Sequence, residues 1–354
     1  MRKLYSFIAA IFLVAASLTA NAQDEFNELI KSSPADATKL LSAYADPLFK
    51  GFGIGLNSGW NNTAQTKKLL HFDLRITGNV ALVPVSERTF DVTKIGLSNN
   101  LTVDKTVASN TNIAQTFAGS DAAKTPIMSI NDNAGTKIGS FELPKGVSQY
   151  IPAPNIQLTV GLIHNTDVTA RITPDIKLSD EAGTVSMFGI GFKHNIIKDF
   201  VKASTFDLAV AVNYNQIKYT KPLDVKPDNG STPAPGQSAA DFNNQKISAT
   251  FKGVNVQAII SKKLLFFTPF AAVSYQTAST NLGVLGNFPL QSTTPGQGTN
   301  YVVVKDPVSI DKNTLSGIRG DVGFQLNLAI LRIYASVGSG SGYVSGNAGI
   351  GLGF

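Results

Sequence analysis

Residues 318–330 read IRGDVGFQLNLAI, and apolar and polar side chains alternate along them. The apolar positions are Ile318, Val322, Phe324, Leu326, Leu328 and Ile330, and between them lie Arg319, Asp321, Gly323, Gln325 and Asn327. A period of two residues is typical of a β-strand with one apolar and one polar face. The stretch is longer than the ~9–11 residues with which a tilted strand crosses a bilayer. It therefore predicts a strand that can span a membrane.

The same alternation recurs through most of the chain. It is found within 72–77, 156–162, 168–178, 188–193, 206–214, 242–261, 264–280 and 344–354, and 51–56 carries a version with alternate glycines. The chain as a whole, with a tight link near 330 before its last stretch, indicates about eleven strands, whereas bacterial single-chain barrels have an even number. Either 51–61 is not a barrel strand or a polar insert at about 84–150 contains another. We predict an all-β fold, a transmembrane antiparallel β-barrel of about 12 strands, within a range of 10–14.

The composition favours a membrane barrel over a soluble β-protein. Charged residues make up 15% of the chain, against about 25% in soluble domains. A soluble barrel turns its apolar face inward and covers its outside with Lys and Glu. Here the second face of the strands is mostly Gly, Ser, Thr, Asn and Gln, which suits a lumen. We therefore expect the apolar face to contact lipid.

The first residues resemble an export signal. Arg2 and Lys3 precede an apolar stretch, and Ala20-Asn21-Ala22 offers small residues for cleavage. The apolar stretch is shorter than the ~20 residues of a spanning helix. We expect residues 1–22 to be a cleaved signal peptide.

A short helix is expected next. Ser33 suits the N-cap and Pro34 the first helical turn, and the helix should end near Tyr44, before Pro47. This segment either plugs the barrel at its periplasmic end or lies on the surface. The expected divisions are 1–22 for the signal peptide, 23–50 for the helical segment and 51–354 for the barrel, with the insert at about 84–150 as either a plug or a surface loop.

Loop lengths and the chain end orient the barrel. Long polar loops occur near 220–240 and 281–312, and tight links near 165, 262 and 330. Outer-membrane barrels have long extracellular loops and short periplasmic turns. The last strand ends with Phe354 on its apolar face, so we expect the C-terminus on the periplasmic side.

Charged residues on the polar strand faces are predicted to line the lumen. They are His71, Asp73, Arg75, Arg171, Asp175, Arg319 and Asp321. Their mixed signs suit either a network of ion pairs that fills a small barrel or the lining of a narrow channel.

Other chemistry finds little support. The chain has three histidines and no cysteine, and no serine lies in a Gly-x-Ser-x-Gly elbow before a helix. We therefore expect no enzyme, no metal site and no cofactor. The glycine runs at 51–55 and 338–353 precede no helix, which argues against a nucleotide site. The formal charge of +6 includes Arg2 and Lys3 of the signal, and the remaining cations are dispersed, so nucleic acid is not expected.

Two motifs and the chain end carry a resemblance to a known family. DPLFKGFG at 46–53, GIGFKHN at 189–195 and the terminal Phe354 resemble an uncharacterised Bacteroidota family of exported outer-membrane barrels. More distantly, the strand pattern and the N-terminal helix resemble long-chain fatty-acid outer-membrane transporters. A terminal aromatic residue on an amphipathic strand also resembles the signal that the barrel-assembly machinery reads. The resemblance implies an outer-membrane location, with membrane lipid and that machinery as partners.

Two functions remain open at this point. The leading prediction is a passive outer-membrane channel or transporter for small molecules, including a small hydrophobic ligand, partly plugged by 23–50 or 84–150. The alternative is a non-conducting barrel that acts as a structural or assembly partner. Neither prediction names a substrate, because a fold does not by itself carry function.

Overall fold

The computed structural model describes residues 34–132, 134–179, 183–201, 204–227, 230–238, 240–291 and 300–354. The signal peptide expected over 1–22 lies outside the described residues. Within them, the chain begins with the long helix α1 (Pro34–Asn57), and a short helix, α2 (Ile197–Phe200), occurs later. No helix in the described ranges is long and apolar enough to cross a membrane.

Most of the remaining chain is β-structure. The barrel strands are β1 (Phe72–Leu82), β7 (Tyr150–Gly161), β8 (Thr166–Ser179), β9 (Gly183–Asn195), β10 (Asp207–Pro222), β12 (Lys246–Ser261), β13 (Phe267–Leu285), β16 (Val308–Leu328), β17 (Leu331–Gly340) and β18 (Tyr343–Gly353). The strands outside the barrel are β2 (Thr89–Asp91), β3 (Leu101–Val103), β4 (Ile113–Gln115), β5 (Ile127–Asn131), β6 (Lys137–Glu142), β11 (Thr232–Pro233), β14 (Asn287–Gln291) and β15 (Asn300–Lys305). Two 3-10 turns, Val85–Glu87 and Val92–Lys94, flank β2.

The barrel has ten strands, not the twelve that we expected. Successive barrel strands pair antiparallel, and β1 pairs with both β7 and β18, which closes the sheet. The count was too high because 51–56 is helical. In addition, the insert contributes short strands that stand outside the barrel.

The connections distinguish two ends of the barrel. At the short-link end, β7–β8, β12–β13 and β16–β17 are joined by short links, and β9–β10 by residues 196–206, which include α2. Phe72 and Phe354 meet at this end, where their backbones exchange two hydrogen bonds of 3.0 Å. At the opposite end, the long-loop end, the long connections are 83–149, 223–245 and 286–307. If the short links are periplasmic, as we expected, the long loops are extracellular.

The outside of the barrel carries an apolar band. Its exposed members include Phe72, Leu74, Ile76, Leu158, Ile190, Phe192, Val210, Val212, Val254, Val256, Val273, Val322, Ile350 and Leu352. On β10 the outward positions change from apolar residues and Tyr214 to Gln216 and Lys218. The band therefore lies toward the short-link end, and the longer strands extend beyond it on the long-loop side.

Helix α1 is longer than the sequence pattern predicted. It continues through Pro47 to Asn57 instead of ending near Tyr44. The alternation at 51–56, which indicated a strand, falls in its last turns. Pro47 removes one helical hydrogen bond, but helices in proteins are stabilised mainly by tertiary packing, and half of α1 is buried.

The insert between β1 and β7 covers the first turns of α1. It forms two small sheets, β2–β4 and β3–β5–β6. Its buried residues Val92, Leu101, Ala114, Met128 and Phe141 pack in one cluster with Ala37 and Leu40 of α1. The Asp36 carboxylate accepts a 3.0 Å hydrogen bond from the backbone N–H of Ser98, and the Tyr44 carbonyl accepts one of 2.8 Å from Phe117. The insert is thus a cover attached to α1.

Candidate functional site in the barrel lumen

The last turns of α1 are wedged between opposite walls of the barrel. Strands β7 and β13 are five places apart in the ten-strand order, so they face each other. An added Cβ would lie 2.5 Å from Ile151 if placed on Gly51, 2.4 Å from Ala153 on Gly55 and 2.7 Å from Ala278 on Gly53. Carbon atoms in contact are separated by about 3.5–4.0 Å, so a side chain at any of the three positions would clash with the wall. The lumen is therefore just wide enough here for a helix that has glycine on both wall-facing sides. The alternate glycines serve helix packing against two walls.

Residues 58–71, here called the linker, continue from α1 to the short-link end. Side chains of β7, β8, β9 and β12 bind the linker and the last residues of α1. Arg171 donates to the carbonyls of Leu56 and Ser58, Asn255 to Asn57, Gln157 to Trp60, Asn195 to Ala64, and Lys193 to Thr63 and Gln65, at 2.6–3.3 Å. Helix α1 and the linker together, residues 34–71, thread the lumen from end to end. We call them the plug.

Arg171 on β8 clamps the end of α1. Its two terminal nitrogens each donate a 2.9 Å hydrogen bond, to the carbonyls of Leu56 and Ser58. Its guanidinium carbon lies 3.8 Å from the Trp60 ring centroid. Arg171 is fully buried, and no carboxylate in the described part of the chain forms an ion pair with it. Its charge is instead balanced by carbonyls at the negative end of the helix dipole.

Trp60, the only tryptophan of the chain, is buried against β9. A Cβ on Gly189 or Gly191 would lie 3.1 or 3.0 Å from its ring, so the two glycines form its seat. The inward residues of GIGFKHN, including Lys193 and Asn195, therefore all contact the plug. DPLFKGFG lies in α1 and contacts other strands, where Gly51 meets Ile151 of β7 and Gly53 meets Ala278 of β13. Both motifs that carried the family resemblance are plug–wall contacts.

The short-link end of the lumen contains a buried ion cluster around Asp73. Asp73 is fully buried on β1. Its partners are Tyr334 at 2.9 Å, Arg332 at 3.0 Å, Arg75 at 3.2 Å and Lys67 of the linker at 3.3 Å. One carboxylate thus joins the plug to β1 and β17.

A cavity of about 640 Å³ opens at the long-loop end between α1, the insert and β16. Its charged lining residues are Lys39, Asp46, Glu87, Asp311 and Lys312, and its hydroxyl groups belong to Thr38, Ser42, Ser86, Thr89, Thr116 and Ser309. The cavity thus lies where α1, the insert and β16 meet at the long-loop end of the plug. We call it the mouth cavity.

Ion pairs beside the mouth cavity hold α1 in place. Asp46 of α1 pairs with Lys312 of β16 and, at 3.0 Å, with Lys50. Lys50 also contacts Glu87 of the insert at 3.1 Å. Burial alone would raise the pKa of Asp46, but hydrogen bonds from Lys312 and Lys50 outweigh burial and hold this pKa below its ordinary value.

Acid should weaken this attachment. A carboxylate with a depressed folded pKa stabilises the fold above its unfolded pKa, and the contribution disappears as pH falls through the folded value. We expect Asp46→Asn to lose less thermal stability than the unsubstituted protein between about pH 6 and about pH 3. The difference should be at most ~1 kcal/mol, because the pair is partly exposed. Asp311→Asn in the same cavity is the control, and an equal response in all three proteins would contradict the prediction.

The sequence matches a known family along its whole length. The model of a family of unknown function, DUF6588, matches residues 1–354. The chain belongs to this family. No curated protein matches it.

Solved structures with similar folds are outer-membrane β-barrels. The outer-membrane protease OmpT of Escherichia coli is 8% identical, with 84% of this chain and 100% of that chain covered and a TM-score of 0.32. The attachment invasion locus protein Ail of Yersinia pestis is 10% identical, with 81% and 100% covered and a TM-score of 0.26. The E. coli outer-membrane transporter YddB is 9% identical, with 77% and 39% covered and a TM-score of 0.33. These scores support no argument about function, and none of the three is a fatty-acid transporter.

The residues predicted to line the lumen divide into two groups. Asp73, Arg75, Arg171 and Arg319 are buried on the inner face, and Asp321 is held there by a bidentate contact with Arg319. His71 is instead exposed at the end of the linker, before β1 begins. Asp175 is exposed because the β8–β9 pairing shifts between Thr173 and Ile176. A bulge of this kind breaks the alternation on which the prediction relied. Phe354 packs against Phe72, with ring centroids 5.2 Å apart.

The prediction missed the neutral polar groups of the inner wall, of which Gln157, Asn195 and Asn255 bind carbonyls of the plug. Inward carboxamides on the strands include Asn155, Gln157, Asn195, Asn213, Asn215, Asn255, Gln257, Gln276 and Asn347. Their recurrence at every second position, as in Asn255 and Gln257, was a usable signal. We found no group of three or more metal-binding side chains in the ranges that the structure describes.

Proposed function

We propose that this protein is an outer-membrane barrel closed at rest by its own plug, and that it passes small hydrophilic solutes when α1 moves. The observation that carries this proposal is the course of residues 34–71, which occupy the lumen from the mouth cavity to the short-link end. A permanently open channel would need a continuous path that this segment does not occupy.

The outer surface supports the membrane part of the proposal. Its apolar band faces outward on all sides of a closed barrel, where a soluble protein would place charged residues. Closure satisfies the backbone hydrogen bonds of every spanning strand, as a lipid environment requires. Phe72 and Phe354 pair at the short-link edge of the band, where aromatic residues are favoured at the interface.

The inner wall supports a plug that can move. A barrel of about eight strands can be filled by its own side chains, but this lumen has ten strands around it and several of its inward residues are small. They include Gly189, Gly191, Ala209, Ala211, Ala272 and Gly323. They leave a bore that a separate segment fills. Since the other inward groups are mainly hydroxyls and carboxamides, the lining suits hydrophilic solutes better than the hydrophobic ligand considered from the sequence.

A second candidate is a permanently closed barrel that serves as a scaffold in the membrane. The linker supports it, because seven wall-to-carbonyl hydrogen bonds hold its backbone and that of the helix end. In this case α1 would never leave its position.

A reversible tether of α1 separates the two candidates. The Cγ of Asn57 lies 3.4 Å from the Cβ position of Gly253 on β12, close enough for Asn57→Cys and Gly253→Cys to form a disulfide. The chain has no other cysteine. Protein purified from outer membranes should be closed in planar bilayers and open at raised voltage. The tethered variant should stay closed until reductant is added.

The controls are the two single-cysteine variants, which should open like the unsubstituted protein with or without reductant. Steady conductance at rest would contradict the closed state. Silence of every protein at every voltage would favour the scaffold. Recovery of the protein only from the soluble periplasm would overturn the membrane location.

A further inference from the structure

The plug makes far more hydrogen bonds with one half of the barrel wall than with the other. The hydrogen bonds to plug carbonyls come from β7, β8, β9 and β12. On the other half, apart from the Lys312–Asp46 ion pair near the long-loop end, the described residues of β13, β16, β17 and β18 make one hydrogen bond with the plug. In it, the Asn57 amide donates to the Thr277 carbonyl at 3.0 Å. The half of the wall formed by β13, β16, β17 and β18 is therefore where the fewest hydrogen bonds oppose separation of the plug.

The same side carries the longest line of buried polar groups without hydrogen-bond partners, whereas β1, β8, β9, β10, β17 and β18 each have one such atom among the described residues. Its members, here called the polar strip, are Ser274, Gln276 and Thr280 of β13 and Thr314 and Arg319 of β16, each at most 6% exposed. The three hydroxyls, both amide atoms of Gln276 and one terminal nitrogen of Arg319 make no hydrogen bond within the described residues. Buried polar groups normally find partners, so these are groups that a hydrated solute would satisfy.

The polar strip begins at the mouth cavity. Thr280 is the cross-strand partner of Lys312, and Lys312 lines the cavity. Further down the same pair of strands, Ser274 is the cross-strand partner of Arg319. The strip thus leads from the open end of the barrel to the middle of the lumen.

One apolar contact interrupts the strip. Between Thr280 and Gln276, the backbone of α1 at Gly53 presses against Ala278 and Leu315 of the wall. A Cβ on Gly53 would lie 2.7 Å from Ala278, so no solute fits between helix and wall at this height. Ile54, fully buried, packs in the same cluster.

We infer that the polar strip forms the part of the solute route that leads from the mouth cavity to the middle of the lumen, and that the contact of Gly53 with Ala278 and Leu315 is its gate. The inference rests on the proposed function. The unpartnered groups are mainly hydroxyls and a carboxamide, which both donate and accept hydrogen bonds. Arg319 is largely neutralised by Asp321. The route therefore suits small uncharged solutes rich in hydroxyl groups, of the size of a monosaccharide.

Two glycine substitutions test the side on which the route lies. Gly53→Ala must push α1 away from β13, whereas Gly55→Ala, which meets Ala153 of the opposite wall, must push α1 toward β13. In isotonic arabinose, liposomes that contain the Gly53→Ala variant should swell roughly tenfold faster than liposomes with the unsubstituted protein, because overpacking destabilises the closed contact. Gly55→Ala should not exceed the unsubstituted protein. Raffinose, a trisaccharide, should pass poorly through all three proteins.

A second pair of variants and a chemical probe guard against misfolding. Ala278→Val and Ala153→Val press on α1 from the two walls, and they should reproduce the same difference if the glycine variants do not fold. A small thiol reagent added with arabinose should label Gln276→Cys faster in the Gly53→Ala background than in the Gly55→Ala background. Asn155→Cys on β7 should show no such preference.

The outcomes separate the two proposals. Faster swelling of Gly55→Ala, or equal swelling of both variants, would place the route elsewhere and leave the gated barrel intact. A second outcome is that folded variants of both pairs stay closed to arabinose, with Gln276→Cys unlabelled, while the unsubstituted protein still opens at raised voltage. That result would mean that the polar strip is not the route. If the untethered protein also never opens, the gated barrel itself is overturned.

Discussion

Asp73→Asn should lower the free energy of unfolding by about 3–5 kcal/mol, because it removes the carboxylate that the cations of the cluster share and leaves the buried Arg75 without its ion pair. Asp73 is fully buried and pairs with Arg75 and Arg332 of the wall and Lys67 of the plug. Asparagine keeps the shape of the side chain, so the loss reports charge and not a cavity. Urea titration in detergent, followed by the heat-dependent mobility of the barrel on a gel, measures the change.

Asp199→Asn is the matched control for that substitution. Asp199 lies in α2 at the same end of the barrel and pairs with His194 at 2.7 Å, but its side chain is 41% exposed. An exposed pair contributes at most ~1 kcal/mol, so the control should be nearly neutral. Similar losses from the two substitutions would mean that the buried cluster does not stabilise the closed barrel.

The faces of the barrel strands were predictable because alternation is a local property. The apolar positions of 318–330 do point outward, and Arg319 does point into the lumen, since neighbouring side chains of a strand lie on opposite faces. Alternation fails where a strand bulges, as at Asp175, because an extra residue reverses the parity of the residues after it. Nothing in the composition of 173–176 marks that position apart from Pro174.

The plug could not be recognised from the same rule. Gly51, Gly53 and Gly55 satisfy a strand pattern, but they reflect contacts with residues about 100 and 225 positions away in sequence, in β7 and β13. Tertiary packing overrides local propensity here. The expected end of the helix before Pro47 failed for a related reason, since surrounding walls stabilise the helix on both sides of the proline.

The sequence analysis identified most of the charged residues of the candidate site, but it did not show which groups they bind. Charged residues at inward positions are conspicuous in a sequence with few charges, which led to Asp73, Arg75, Arg171 and Arg319. Their partners could not be inferred, because Arg171 binds backbone carbonyls of a segment that was assigned to another role. A carbonyl has no sequence signature. Only the three-dimensional course of residues 34–71 shows that the lumen is a binding surface for the chain itself.

Arg171→Met should release the end of α1 and open the barrel. Methionine fills similar space but donates no hydrogen bond, so the Ser58 carbonyl loses its partner and Leu56 keeps only the indole N–H of Trp60 at 3.0 Å. An unsatisfied buried carbonyl costs ~1–3 kcal/mol, and a desolvated cation–π contact contributes ~2 kcal/mol. Removal of a buried charge offsets part of this cost. The net loss of ~2–4 kcal/mol from the closed state should increase swelling in arabinose more than tenfold.

Trp60 makes the mechanism visible in the same experiment. As the only tryptophan, seated between Arg171 and two glycines of β9, it should emit at longer wavelength once the linker meets water. Arg171→Lys keeps the charge but cannot bridge two carbonyls and stack on the indole, so it should fall between the other two proteins in both readouts. Faster swelling with unchanged Trp60 emission would mean that solute passes without release of the linker. A shift in emission without swelling would mean that the gate at Gly53 holds independently of the clamp at Arg171.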